Sequence, residues 1–327
     1  MGNRKLSEIK EIAMKRAREA ETSAQACQTC QVNERWLTLD GSRVRYLHAG
    51  SGAALLLLHG LLGYAFSWRF TIPVLAQRAS AYAPDMLGTG FSDRPVNLDC
   101  SLRASAQLVL QFMDELGVSS CDLVGTSRGG GVAMLMAAIA PDRVRRLILA
   151  DPINPWSARG KLLSVALSNP LVAPLFVRLA PRFPMMQDYY FRRLFGDTRR
   201  IPPDAAEGYG KPLQLPGAFG YAISVLKTWN RDLRELESLL PRIADIPTLL
   251  VWGSLDAAVS PASGFELKKH FRNCRLVMME GIGHLPYEEA PEEFNRVLSE
   301  FLEYESATPG DVASKGHSSN GASHSPD

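Results

Sequence analysis

From residue 55 onward, continuous apolar runs alternate with stretches of helical period. Leu55-Leu56-Leu57-Leu58, Leu147-Ile148-Leu149-Ala150, Thr248-Leu249-Leu250-Val251 and Leu276-Val277-Met278-Met279 carry almost no polar residue and are short for helices. A strand reads this way only when both its faces are buried, which happens in parallel sheets covered by helices on each side. The pattern predicts strands ending near Leu58, Ala83, Val124, Ala150, Val251 and Met279. Helices are expected between them near 68–75, 102–116, 129–140 and 262–270, and a last one over 291–304 has Pro291 in its first turn. Ahead of these, two alternating runs, 35–39 and 43–47, flank Asp40-Gly41, the signature of a β-hairpin. The fold class is therefore α/β, a mostly parallel central sheet with helices on both faces.

Between Asp151 and Asp245 that rhythm breaks. Strand signals vanish, prolines recur, and the segment is helical in patches and rich in aromatics. It leaves the sixth strand at the edge of the expected pocket, so a helical cap is expected over 155–243, inserted into a core made of 31–154 and 244–304. Its least polar stretch, 162–177, is shorter than the roughly 20 residues a membrane span requires. It also holds Asn169, Pro170 and Pro174, and is read as a helix pair lining an apolar pocket.

The ends read differently. In 1–30, Leu6, Ile9, Ala13, Ala17 and Ala20 follow helical spacing and make a thin apolar face. Such a face suits the core, a second subunit in a homodimer, or a membrane surface. The start resembles a myristoylation signal, but Ser7 falls one position late. Residues 305–327 are Ser, Gly, Ala, His and Pro with almost no apolar content, and are expected to be disordered.

Composition narrows the function classes. The 327 residues are 46% hydrophobic, enough for one main domain with an insertion. A formal net charge of +2 argues against nucleic acid as the main partner. Five cysteines without a dense framework, and no secretory apolar region at the start, suggest a reducing, cytoplasmic compartment. Cys27 and Cys30 have metal-like spacing, but a zinc site requires a second pair that the chain lacks, so they read as ordinary thiols and no metal is expected.

Candidate chemistry centres on Ser127, in Gly125-Thr126-Ser127-Arg128-Gly129. A strand-like run precedes it and an Ala/Gly-rich helical run follows. A nucleophilic serine needs that setting, a tight strand-to-helix turn whose crowding small neighbours relieve. It also needs a base and an orienting acid. Of six histidines, His284 sits in a glycine-flexed loop just after an apolar strand, where it can reach a serine at another strand's end. His317 and His324 fall in the tail, His48 on an alternating strand, His270 in a charged helix, and His59 upstream of the serine. Two acids follow apolar strands: Asp256, preferred, and Asp151, its rival. Two backbone N–H groups, at Leu61 and Arg128, are expected to hold an oxyanion, each worth about 3 kcal/mol. The expected substrate pocket takes His59, Gly60, Arg128 and Leu285. For the Arg128 side chain, pairing with a carboxylate such as Asp93 is weighed against direct contact with substrate.

These stretches lie in order with Leu58-His59-Gly60, Pro84-Asp85-Met86-Leu87-Gly88-Thr89-Gly90-Phe91-Ser92-Asp93-Arg94-Pro95, Val251-Trp252-Gly253-Ser254-Leu255-Asp256, and the run from Gly283 to Phe294. Over about residues 33–304 the chain resembles the α/β-hydrolase superfamily. It is similar to the capped branch of epoxide hydrolases, haloalkane dehalogenases, carbon–carbon bond hydrolases and esterases. The resemblance implies an α/β-hydrolase fold with the triad order Ser127, Asp256, His284. Epoxide hydrolases and dehalogenases of that branch use an aspartate nucleophile, and Ser127 stands there instead. The implied activity is cleavage of a small apolar carboxylic ester or related acyl compound, without cofactor. Carbon–carbon cleavage of a diketone-like substrate is the alternative reaction, and a slow-turnover, hydrolase-like ligand-binding protein is the alternative of a different class.

Overall fold

The computed structural model describes residues 31–157 and 169–304, together with 165 and 167. The expected helix over 1–30, Cys27 and Cys30, and the tail over 305–327 lie outside the described residues. The strands are β1 (Asn33–Leu39), β2 (Ser42–Ala49), β3 (Ala53–Leu58), β4 (Ala79–Pro84), β5 (Cys121–Thr126), β6 (Val144–Ala150), β7 (Thr248–Gly253) and β8 (Cys274–Met279). They form one sheet in the order β1-β2-β4-β3-β5-β6-β7-β8. β1 and β2 make the predicted antiparallel hairpin, β2 pairs antiparallel with β4, and the remaining neighbours are parallel. Asp40 and Gly41 have φ of 45° and 80°, the two left-handed residues a type I′ turn requires.

Helices α1 (Ile72–Leu75), α2 (Leu102–Glu115) and α3 (Arg128–Ile139) precede the insertion. The insertion holds α4 (Val172–Leu179), α5 (Pro184–Arg192), α6 (Ala205–Leu213) and α7 (Ala218–Leu239). After it come α8 (Pro261–Lys268), α9 (Pro286–Glu289) and α10 (Pro291–Tyr304). One side of the sheet packs on α2, α3, α7 and α8, the other on α1, Trp68, Tyr287 and α10. This double cover is why Leu55 to Leu58 can be apolar at every position: all four are buried.

The strand order sets where a site can form. The chain runs from β3 out to β4, then crosses back over β3 to start β5. Loops leaving β3 and β5 therefore diverge at their carboxyl ends and open a crevice. Register carries the same edge along the sheet: Leu58 pairs with Gly125, Thr126 with Ala150, Ala150 with Val251, and Gly253 with Met279. The segments that start at His59, Ser127, Asp151, Ser254 and Glu280 thus leave side by side.

Among the described residues no strand lies between Ala150 and Thr248. α7 anchors the insertion: its apolar face joins the α3 side of the core, and Asp232 Oδ2 accepts the Leu102 N–H at the start of α2 (3.1 Å). Of the stretch 162–177 expected to line an apolar pocket, 165, 167 and 169–177 are described, and Leu167 packs on the core. Only Ala173, Phe176 and Val177 of α4 turn inward, while Leu171, Val172 and Leu175 are exposed. Among the described residues, no helix is long and apolar enough to cross a membrane.

Candidate active site

Ser127 sits between β5 and α3 with φ 50° and ψ −120°, a conformation that costs a residue with a Cβ about 1–3 kcal/mol. The surroundings over-determine it. Its N–H donates to Ala150 O (3.0 Å), and its carbonyl accepts the N–H groups of Gly130, Gly131 and Ile153 (3.0, 3.2 and 3.0 Å). The turn is so tight that a Cβ on Gly129 would lie 2.3 Å from Leu58 O, and one on Gly125 2.5 Å from Gly129 O. Both glycines of the pentapeptide are required by close approach.

His284, in the loop after β8, places Nδ1 2.8 Å from Asp256 Oδ2, and both residues are buried. Asp256 is itself held, its Oδ1 accepting Ala258 N–H (2.7 Å) and Val259 N–H (2.9 Å). With Nδ1–H donated to the carboxylate, Nε2 carries the lone pair. Among the described residues no hydrogen bond joins Ser127 Oγ to His284; in resting sites that bond commonly tightens only with substrate.

Asp151 lies beside Asp256. It has a left-handed φ of 46° at the end of β6, is fully buried, and its Oδ1 accepts Gly253 N–H (2.9 Å). Polar atoms of Asp151, Asp256 and His284 lie within 4.8 Å of one another. Burial and the adjacent Asp256 push the Asp151 carboxyl well above the usual carboxylate range, which keeps it protonated. Asp256 accepts three hydrogen bonds to Asp151's one. Among the three, one hydrogen bond is made, His284 Nδ1 to Asp256 Oδ2, and the second oxygen of Asp151 has no partner.

The loop after β3 passes over Ser127. A Cβ on Gly60 would lie 3.1 Å from Ser127 Cβ, and Leu62 takes a left-handed φ of 61°. Among the described residues, neither the Leu61 nor the Arg128 amide donates within the protein. His59, expected in the pocket lining, is instead spent as a strut. It is fully buried, Nδ1 bonds to Gly60 O (2.8 Å), and Nε2 accepts Met86 N–H (3.1 Å). Burial, with help from the Arg128 charge, pushes it down to about 4. Leu285 packs into the core under the insertion with Phe195, Ile282 and Tyr287.

Arg128 is buried, but Asp93 does not pair with it; that carboxylate accepts the Arg43 N–H (2.7 Å). Arg128 Nη2 donates to Cys100 O (2.7 Å) and Ser105 Oγ (2.8 Å), and its guanidinium lies 5.6 Å over the Tyr221 ring. The side chain thus runs toward the start of α2 and toward α7, and its polar contacts are with protein.

Two acids escaped the sequence reading. Glu289 is buried and accepts the N–H groups of Gly283 (2.8 Å), Gly196 (2.9 Å) and Asp197 (2.8 Å). Together with His284 N–H donating to Leu194 O (2.6 Å), it clasps the histidine loop to the insertion. Glu288, also buried, pairs with Arg69 and accepts the Tyr209 hydroxyl (2.6 Å) from α6. Burial pushes it above the ordinary glutamate range. The available signal was Leu285-Pro286-Tyr287-Glu288-Glu289-Ala290, two carboxylates in an apolar run.

The family model described as alpha/beta hydrolase fold matches residues 53–291. Haloalkane dehalogenase 2 of Mycobacterium tuberculosis is 27% identical over 278 residues, covering 81% of this chain and 93% of the relative. Lipase 1 of Psychrobacter immobilis is 28% identical over 278 residues, covering 79% and 80%. Among solved structures, a membrane phospholipase A described as a bacterial virulence factor superposes with a TM-score of 0.72 at 26% identity, covering 94% of this chain and all of that one. With the matched model spanning most of the chain, and the sheet order and serine turn in place, the protein belongs to the α/β-hydrolase family.

Proposed function

We propose that the protein is a serine hydrolase that cleaves a carboxylic ester or related acyl compound through Ser127, His284 and Asp256. The observation that carries this reading is the 2.8 Å His284–Asp256 bond, set on the same sheet edge as a serine forced to φ 50°. Ser127 Oγ adds to the acyl carbon as His284 Nε2 takes its proton, and the carbonyl electrons move onto oxygen. The Leu61 and Arg128 amides, free of other partners, face that charge. Collapse expels the alcohol, which leaves with the proton from His284. Water then adds to the acyl-enzyme by the same route, releasing the acid and restoring Ser127. No step calls for a cofactor.

The dehalogenase relative does not fix the activity: the family resemblance implies an aspartate nucleophile for dehalogenases of this branch, and this chain has Ser127 there. The described helices of the insertion act in this reading as a cap over the crevice. Ser127→Ala is expected to abolish labelling by an active-site phosphonate and to lower turnover by about 10^6 on chromogenic esters. Retained labelling would refute the assignment. A vinylogous diketone assayed beside the esters separates ester from carbon–carbon bond cleavage.

A further inference from the structure

The insertion turns much of its apolar surface outward. Among the described residues, 17 large apolar side chains are exposed, and nine of them fall between Val165 and Tyr190. Along α4, Leu171, Leu175 and Leu179 recur every fourth position and are 85%, 58% and 37% exposed. In α5, Met185 is 85% exposed and Tyr189, four residues on, 56%. A helix on an ordinary soluble surface turns such a stripe toward the core. An apolar patch of this extent marks an interaction surface.

The same stretch is basic. Arg178, Arg182, Arg192, Arg193, Arg199 and Arg200 are all exposed, against two aspartates, Asp188 and Asp197. Residues 165–200 thus hold a net charge of +4, six arginines less two aspartates, although the whole chain has only +2. Apolar side chains interleaved with arginine and tyrosine are the composition of a surface that lies at a lipid headgroup boundary.

We propose that this face of the insertion docks on a lipid bilayer containing anionic lipids. Charge decides between occupants. A second copy would set +4 against +4. The segment 1–30 has six basic residues and four glutamates, so it too is positive and would be repelled. An anionic bilayer complements both the charge and the apolar stripe: Leu175 and Met185 enter the acyl boundary, while the arginines meet headgroups. The face also lies next to the chemistry in the chain. α5 runs into Leu194–Asp197, the segment clasped to the His284 loop. If the ester-hydrolase reading holds, on which this consequence rests, docking brings the crevice to acyl lipids, and the substrate class is esters drawn from the bilayer.

Vesicle sedimentation of the whole chain tests this. The protein is expected to bind phosphatidylcholine vesicles containing phosphatidylserine more tightly than phosphatidylcholine alone, and to release in high salt. The double variant Leu175→Glu/Met185→Glu should lose binding while keeping turnover on a soluble short-chain ester. Arg178→Glu/Arg182→Glu should weaken binding to phosphatidylserine vesicles by about tenfold or more, and serves if the first variant does not fold. No binding to either vesicle, or binding that survives both variants, overturns the proposal. So does a solution dimer that Leu175→Glu/Met185→Glu splits, since the face would then be an interface between copies. Ser127→Ala should still bind vesicles, which separates failure of docking from failure of the hydrolase reading.

Discussion

His59 gives a pH dependence that can be worked out from its surroundings. In the fold its pKa is near 4, against 6.5 for the free side chain, because burial penalises the imidazolium and Arg128 lies close. The unfolded chain therefore takes up this proton first, and binds more protons than the fold between about pH 6.5 and 4. Stability from neutral His59 is complete above pH 6.5, shrinks as pH falls, and is down by about 3 kcal/mol at pH 4, at about 1.36 kcal/mol per unit. Structurally, an imidazolium Nε2–H would face the Met86 N–H it now accepts, and the loop over Ser127 would lose its strut. Urea unfolding followed by tryptophan fluorescence, at several pH values for wild type and His59→Asn, measures this. The variant will be weaker overall, so the slopes are compared, and contributions from other groups cancel. Equal slopes in the two proteins would refute the argument.

Asp256→Asn should cost about 10^4 in turnover and Asp151→Asn little, because the Asp151 side chain is already neutral; the reverse order would place the acid on β6. Neutral Asp151 must ionise on unfolding, so its contribution is present at low pH and lost as pH rises above the carboxylate range; Asp151→Asn should remove that slope in the urea series. Glu289→Gln, left with one acceptor oxygen for three N–H donors, should lower kcat by about 10^2 through a displaced His284, and an unchanged kcat would show that the loop holds without it. Arg128→Met should leave Cys100 O and Ser105 Oγ unpartnered, lowering stability by about 1–3 kcal/mol with equal rate losses on neutral and carboxylate-bearing esters. A loss confined to the anionic ester would return Arg128 to the substrate.

What was legible in the sequence is what local chemistry dictates. Uninterrupted apolar runs reveal strands buried on both faces, and strand ends near Leu58, Ala150 and Met279 match the structure. Ser127 was visible because its turn needs small residues within a few positions, and those are local. Asp256 and Asp151 were hard to rank because both follow strands that prove adjacent, so each reaches the same place. Only the folded contacts separate them, since His284 bonds to Asp256 and not to Asp151. The partners of Arg128 come from Cys100, Ser105 and Tyr221, contacts no spacing rule reaches. Glu288 and Glu289 gave no local sign of their roles, since their partners are distant: Arg69 and Tyr209 for Glu288, and the amides of Gly196, Asp197 and Gly283 for Glu289.

The clasp around Glu289 also imposes an order of events on a newly made chain. The serine turn is built from β5, α3 and β6, all encoded before residue 154, and needs nothing from later in the chain beyond sheet neighbours. The base is different. Its loop is held by Leu194, Gly196 and Asp197, so His284 is fixed only after the inserted helices have settled against a segment translated some ninety residues later. Under the proposed assignment, a half-folded molecule would hold Ser127 without its base and hydrolyse nothing. In that reading competence arrives last, together with the inserted helices, and the appearance of activity during refolding reports that they have docked.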